Sequence, residues 1–204
     1  MTIKLHLGDL PNAKPLSPIV AIDTETLGLN PHRDRLCLVQ LSYGNGDVEL
    51  VQIAQGQTQA PNLQKLLADQ SVLKLFHFAR FDMAILAKTF GVMPEPVYCT
   101  KIASKLCRTY TDRHGLKDLV RELLGVEISK QQQSSDWGAQ YLTDAQQAYA
   151  ASDVLYLHQL KERLDSMLAR ENRTALAGGC FAFLAIRTQL DLAGWPAVDI
   201  FSHE

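Results

Sequence analysis

The sequence predicts an α/β fold, a mixed β-sheet flanked by helices, and three features point there. Short apolar runs bounded by Pro, Gly and Asn sit beside longer stretches of helical periodicity. The strand-like runs crowd into the first half of the chain, and the second half is largely helical. No linker, low-complexity tract or internal repeat divides the 204 residues, so the expectation is a single domain over 1–204 with a C-terminal helical extension from about 172.

Each element has its own signal. Residues 19–24 form an apolar run after Pro18, followed by a turn-like stretch over 28–31, and 36–43 and 48–53 carry β-rich patterns. Asn45 and Gly46 between the last two tolerate positive φ, which favours a tight hairpin and makes the three strands antiparallel neighbours. Residues 61–68 read as a helix, 72–77 as a buried strand and 81–90 as a helix closed by Gly91. After an extended piece at 97–100, helices are predicted over 101–108, 116–124, 143–170 and 175–193. Thr143, with Gln146 three residues on, has the form of a capping box. Folds of this class place sites at strand ends, where the acidic residues fall.

Composition narrows the function. With 47% hydrophobic and 21% charged residues the chain has ordinary globular composition. The start, MTIKLHLGDL, lacks the pattern of a signal peptide, and no apolar stretch approaches the roughly 20 residues that span a bilayer. A cytoplasmic protein with no membrane partner is expected. Cys37, Cys99, Cys107 and Cys180 are scattered with no CxxC pair, which points to reduced thiols and no zinc site. The net charge of -2 argues against neutralising many phosphates at once, so a nucleic-acid ligand should be short or locally held.

Three acidic motifs remain. Asp23 and Glu25 end the first strand, two apart and therefore on one face, where paired carboxylates repel unless a hard cation sits between them. A solvated turn explains the same pair taken alone. Asp82 opens a helix just after a buried strand, where capping would also account for it, and His77 before it reads equally as a satisfied core histidine. Tyr149 and Asp153 lie four apart on one helix face with small residues between them.

Their conjunction is specific. Asp23-Thr24-Glu25, His77-Phe78-Ala79-Arg80-Phe81-Asp82 and Tyr149-Ala150-Ala151-Ser152-Asp153 resemble, in order and context, the three motifs of the DEDDy branch of the DnaQ-like 3′-5′ exonucleases, typified by ribonuclease D. Ser135-Asp136-Trp137 and Leu142-Thr143-Asp144-Ala145-Gln146 resemble the stretch leading into the third motif, and the resemblance covers about 19–170. Ribonuclease D carries further helical C-terminal domains, whereas this chain stops soon after the matching region, and Phe78 stands where the family often has Asn. In size the chain resembles the short nano-RNase C branch, whose members degrade very short RNAs and assemble as ring-like homo-oligomers.

The resemblance implies a ribonuclease H-like fold and a 3′-5′ exoribonuclease using two divalent ions, Mg²⁺ or Mn²⁺, held by Asp23, Glu25, Asp82 and Asp153. It implies single-stranded RNA, in short oligoribonucleotides, as partner, and a homo-oligomer. Tyr149 would aim the attacking water, Leu29 would wedge against terminal bases, and His77 with the backbone near Glu25 and Thr26 would meet the terminal nucleotide. From spacing alone, Lys101, Lys105 and Arg108 form a basic helix stripe, continued by Arg113 and Lys117, that could attract phosphates or simply face solvent. The closing helix, with Phe181, Phe183, Leu184 and Ile186, offers apolar surface to the core or to a neighbouring subunit. Three rivals stand beside this reading. A DNA exonuclease uses the same chemistry. An inactive RNA-end-binding module would have no reason to keep repelling carboxylates together. An aspartyl-phosphate phosphatase with Asp23 as nucleophile lacks a convincing phosphate-binding Lys and second acidic pair.

Overall fold

In the computed structural model, which describes residues 2–12, 17–129 and 131–203, a six-stranded sheet is covered on both faces by helices. The strands are β1 (Ile3–Leu7), β2 (Ile19–Thr26), β3 (Leu36–Ser42), β4 (Val48–Gln52), β5 (Leu73–Phe76) and β6 (Val97–Cys99), in the order β1-β4-β3-β2-β5-β6. β3 pairs antiparallel with β2 and β4, and the remaining pairs are parallel, so β3 alone among these strands runs against the rest. The predicted β2-β3-β4 meander is present, but at its hairpin the positive φ falls on Gly44 (79°) and Gly46 (87°) rather than on Asn45.

Two differences from the sequence reading concern strands. β1 is absent from that reading: it is a five-residue edge strand in which Leu5 and Leu7 stay exposed, and it is placed by parallel pairing to β4. The extended piece at 97–100 proves to be β6, whose three residues are all buried and paired to β5.

The helices are α1 (Pro61–Ala68), α2 (Ala79–Phe90), α3 (Thr100–Cys107), α4 (Leu116–Leu124), α5 (Asp144–Leu155), α6 (Leu157–Arg170) and α7 (Thr174–Leu192). Because side chains alternate along a strand, the sheet supports two cores. Val20, Ile22, Val39 and Leu41 face α1 and α2, with Leu63, Leu66, Met83 and Leu86. Ala21, Leu38, Leu50 and Leu75 face the other layer, with Ala150, Ala151, Val154 and Leu157 of α5 and α6.

The helix predicted over 143–170 is two helices meeting at Tyr156, whose ψ of -4° ends the α5 repeat. α7 corrects another expectation, since by length and composition it is apolar enough to cross a membrane. In the fold Ala177, Leu184, Ala185, Thr188 and Asp191 are buried, while Phe183 and Ile186 stay exposed. The four cysteines are free thiols, with Cys37, Cys99 and Cys107 buried.

α5 carries Tyr149 and Asp153, and its start is fixed as the sequence indicates. Thr143 Oγ1 accepts from the Gln146 amide at 3.2 Å, while the Gln146 side chain accepts from the Thr143 amide at 2.9 Å. Gln146 Nε2 also donates to the Asp136 carbonyl, tying the preceding loop to the helix. Thr143→Ala should therefore cost about 1 kcal/mol in a denaturant titration with helical content unchanged.

Candidate active site

β2 aims the first two acids. Asp23 and Glu25 project from the face covered by α5, and a register break between Glu25 and Thr26 ends regular pairing with β3 and turns the strand's end. α5 supplies Asp153 on the same side. Ligand oxygens of Asp23, Glu25 and Asp153 all lie within 4.8 Å of one another. Asp82 approaches separately, from the first turn of α2, and is 3% exposed. Its Oδ1 accepts from Thr24 Oγ1 at 2.6 Å, so the residue between the two β2 acids anchors the one that comes from α2.

This crowding is unfavourable without a counter-charge. Burial raises the carboxyl of Asp23 to about 7. Burial, then the charges of Asp23, Asp153 and Asp82, push Glu25 up to about 10. Asp82 is raised well above its ordinary value by burial and then by Asp23. Among the described residues, none of the ion pairs involves Asp23, Glu25 or Asp82. Carboxylate oxygens alone form the hard donor set preferred by Mg²⁺ and Mn²⁺, and soft or imidazole donors are missing from the cluster. The residues therefore fit divalent cations of that class.

Tyr149 stands beside the cluster. Its hydroxyl is driven above the normal phenol range first by burial and then by the charges of Asp153 and Glu25, and it hydrogen-bonds Asp153. It remains protonated, a donor rather than a base. Its ring packs against Trp137 at 5.9 Å between centroids, and Trp137 is itself 2% exposed.

His77 is fixed from behind. Thr100 Oγ1 gives its one proton to the Phe76 carbonyl at 3.2 Å, so at 2.9 Å from His77 Nδ1 it must accept, which leaves Nε2 as the acceptor of a neutral ring. Burial, helped by Lys101, lowers this histidine to about 3. Thr24 and Thr100 escape sequence reasoning, since a threonine next to an acid or at a helix start carries no distinguishing signal.

The loop after β2 presents Leu29 at 85% exposure, so it is not tucked into the core. Gly28 permits this turn because a β-carbon there would run into the Asp34 carboxylate. Thr26 Oγ1 donates to the Gly28 carbonyl at 2.5 Å, so its side chain braces the loop. Leu29 and Phe78 line a hollow of about 560 Å³ with Pro31, Arg80, Asp191 and Pro196, and none of the four carboxylates lines it. The basic stripe is corrected: Arg108 caps the C-terminal end of α3 and is fully buried, because turned inward there it finds acceptors in Ser104, Glu122 and the Arg113 carbonyl. Lys101 lies over the Phe78 ring, 4.3 Å from its centroid.

Known proteins resemble this chain at several levels. Residues 7–169 match the sequence profile of a 3′-5′ exonuclease family. Ribonuclease D of Jannaschia sp. (strain CCS1) is 37% identical over 161 residues, which cover 77% of this chain and 41% of that protein. The chain thus spans about two fifths of the length of such curated relatives. The structure of Brucella melitensis NrnC with bound Mg²⁺ superposes with a TM-score of 0.96 at 60% identity, and NrnC bound to pGG with 0.97 at 61%, each over the full length of both chains.

The raised carboxyls make stability depend on pH with a definite sign. Protons held by Asp23 up to about 7 and by Glu25 up to about 10 favour the folded state at low pH, and that contribution is lost as pH rises from the ordinary carboxylate range through those values. Protein stripped of metal should melt at progressively lower temperature from about pH 5 to pH 9. Mn²⁺ should raise the melting point most at the alkaline end, with proton release on binding measurable by calorimetry in two buffers.

Proposed function

From the premise that the chain belongs to the 3′-5′ exonuclease family, within its NrnC branch, we propose that it hydrolyses short oligoribonucleotides from the 3′ end, dinucleotides included, releasing nucleoside 5′-monophosphates. The observation that carries this reading is the cluster of Asp23, Glu25 and Asp153 with ligand oxygens within 4.8 Å, joined by the buried Asp82. The sheet, with one reversed strand between helical layers, is the ribonuclease H-like fold of DnaQ exonucleases. A relative bound to pGG supports a short oligonucleotide as ligand.

Asp23, Glu25 and Asp153 would hold one divalent ion, and Asp23 with Asp82 a second. Bound there, such ions supply an activated water and charge neutralisation at the leaving oxygen. The protein's own groups do the rest. Tyr149, kept protonated by its acidic neighbours, exchanges its hydrogen bond to Asp153 for one to the attacking water and so orients that water toward phosphorus. As the new P–O bond forms, the attacking water gives up a proton to solvent, the bond to the 3′ oxygen of the preceding nucleotide breaks, and that oxygen takes a proton from solvent. His77, neutral and with Nε2 turned to accept, takes a hydrogen bond from a hydroxyl group of the terminal sugar. Leu29 stands exposed where it can wedge between neighbouring bases, and the backbone at Glu25 and Thr26 meets the chain end.

The whole chain is read as one exonuclease unit acting in the cytoplasm, with α7 and the residues after it as a helical extension. Phe183, Ile186, Trp195, Val198, Ile200 and Phe201 leave apolar surface exposed on that extension, which supports assembly of several copies. Mass measurement in solution should give a multiple of 22.7 kDa; a monomer at micromolar concentration would contradict the assembly.

Asp153→Ala should abolish cleavage, and Tyr149→Phe should slow it about 100-fold while Mn²⁺ binding is retained. Turnover near wild type in either variant would defeat these roles. Incubation with 5′-labelled RNA and DNA of graded length, with Mg²⁺ or with EDTA, separates the readings. Shortening of RNA that stops in EDTA and returns with Mg²⁺ is expected. Equal or faster loss of DNA would favour a DNA exonuclease, and binding without shortening an inactive end-binding module.

A further inference from the structure

The sheet face beneath α5 is built from Ala21, Leu38 and Leu50, with Ala150 and Val154 of the helix above them, all fully buried. Gln40 stands in the middle of that apolar layer. On β3 it is the direct partner of Asp23 on one side and of Leu50 on the other, and residues opposed across a ladder share a face. It is 0% exposed. Its Nε2 lies 3.4 Å from Asp23 Oδ2, and its Oε1 has no partner among the described residues.

An orphaned buried amide oxygen costs stability, and a leucine like Leu38 or Leu41 on the same strand would fill the space without that cost. What the amide provides is a donor to Asp23. An apolar side chain would give this carboxylate no lateral hydrogen bond. Lysine or arginine would form an ion pair and compete with a cation for the same oxygens. An amide donates from Nε2 to the acid without carrying charge, and leaves the acid's full negative charge for a metal ion.

We propose that Gln40 is a positioning residue: its amide fixes the rotation of the Asp23 carboxylate from the neighbouring strand, so that the acid meets divalent cations in one orientation. This rests on the exonuclease reading and deepens it, since groups that hydrogen-bond metal ligands set both their geometry and the affinity of the site. It also accounts for a polar residue in a layer that is otherwise closed to water.

Gln40→Met keeps length and bulk while removing both the donor and the orphaned acceptor. On the purified full chain, three quantities decide the matter: the melting temperature in chelator, Mn²⁺ affinity by calorimetry, and steady-state kinetics on a diribonucleotide. Gln40→Met should melt at or above wild type in chelator, yet bind Mn²⁺ about tenfold more weakly. Its kcat should fall about tenfold with KM unchanged. Leu50→Met, which disturbs the same layer without touching Asp23, should leave Mn²⁺ affinity unchanged. Wild-type affinity and turnover in Gln40→Met would overturn the proposal. So would weaker binding accompanied by a lower melting point in chelator, or failure of both Gln40→Met and Gln40→Leu to fold, since each marks a packing role. Failure of the wild type itself to bind Mn²⁺ or to cut would instead sink the exonuclease reading.

Discussion

Mutual repulsion among four carboxylates in one half-buried corner is the constraint around which this molecule is organised. The four acids arrive from three elements: two from β2, one from the covering α5, one over the strand's end from α2. Proximity of like charges in a low-dielectric environment opposes folding, and relief comes from protons or from cations. The fold holds the arrangement because the elements bearing the acids are committed elsewhere by large apolar contacts. β2 lies in the centre of the sheet between β3 and β5, and α5 buries Ala150, Ala151 and Val154 against it.

The distribution of donors follows from that constraint. Around the acids the protein places uncharged groups, Thr24 on Asp82 and Gln40 on Asp23, with the protonated phenol of Tyr149 on Asp153. The cationic side chains nearby are engaged apart from the cluster. Arg80, two residues from Asp82, forks onto Asp191 and reaches the Pro196 carbonyl. Arg187 shares the same aspartate. Lys74, fully buried on β5, donates to the carbonyls of Asp69 and Glu95. Had any of these reached the corner, its charge would have neutralised the site and removed the reason for a metal to bind there.

Much of this was legible in the sequence, and the reasons for the exceptions are physical. Spacing of two on a strand and four on a helix is a local property, so the shared faces of Asp23 with Glu25 and of Tyr149 with Asp153 could be read directly. β1 escapes such a reading although Ile3, Leu5 and Leu7 alternate with Lys4 and His6, because so short an edge strand, with Leu5 and Leu7 exposed, owes its place to pairing with β4. Arg108 looked like part of a solvated stripe because helical spacing does not reveal which face the rest of the chain covers. Gln40 left no mark at all: within a run of apolar residues a lone glutamine reads as alternation, and its meaning comes only from pairing with a strand 17 residues away.

The junction between β5 and α2 shows how far geometry overrides residue preference. His77 must stay against Thr100 at the end of the sheet, while Asp82 must sit one turn into the next helix, so the chain has a single residue in which to change direction. That residue, Phe78, takes φ of 69° and ψ of 43°, a left-handed conformation that costs a side chain about 1 kcal/mol. Glycine would relieve the strain. Phenylalanine instead leaves a ring 46% exposed, with Lys101 over it, on the wall of the hollow that Leu29 also lines. Strained residues of this kind persist where the surrounding structure over-determines them, and here His77 on one side and the helix bearing Asp82 on the other do so.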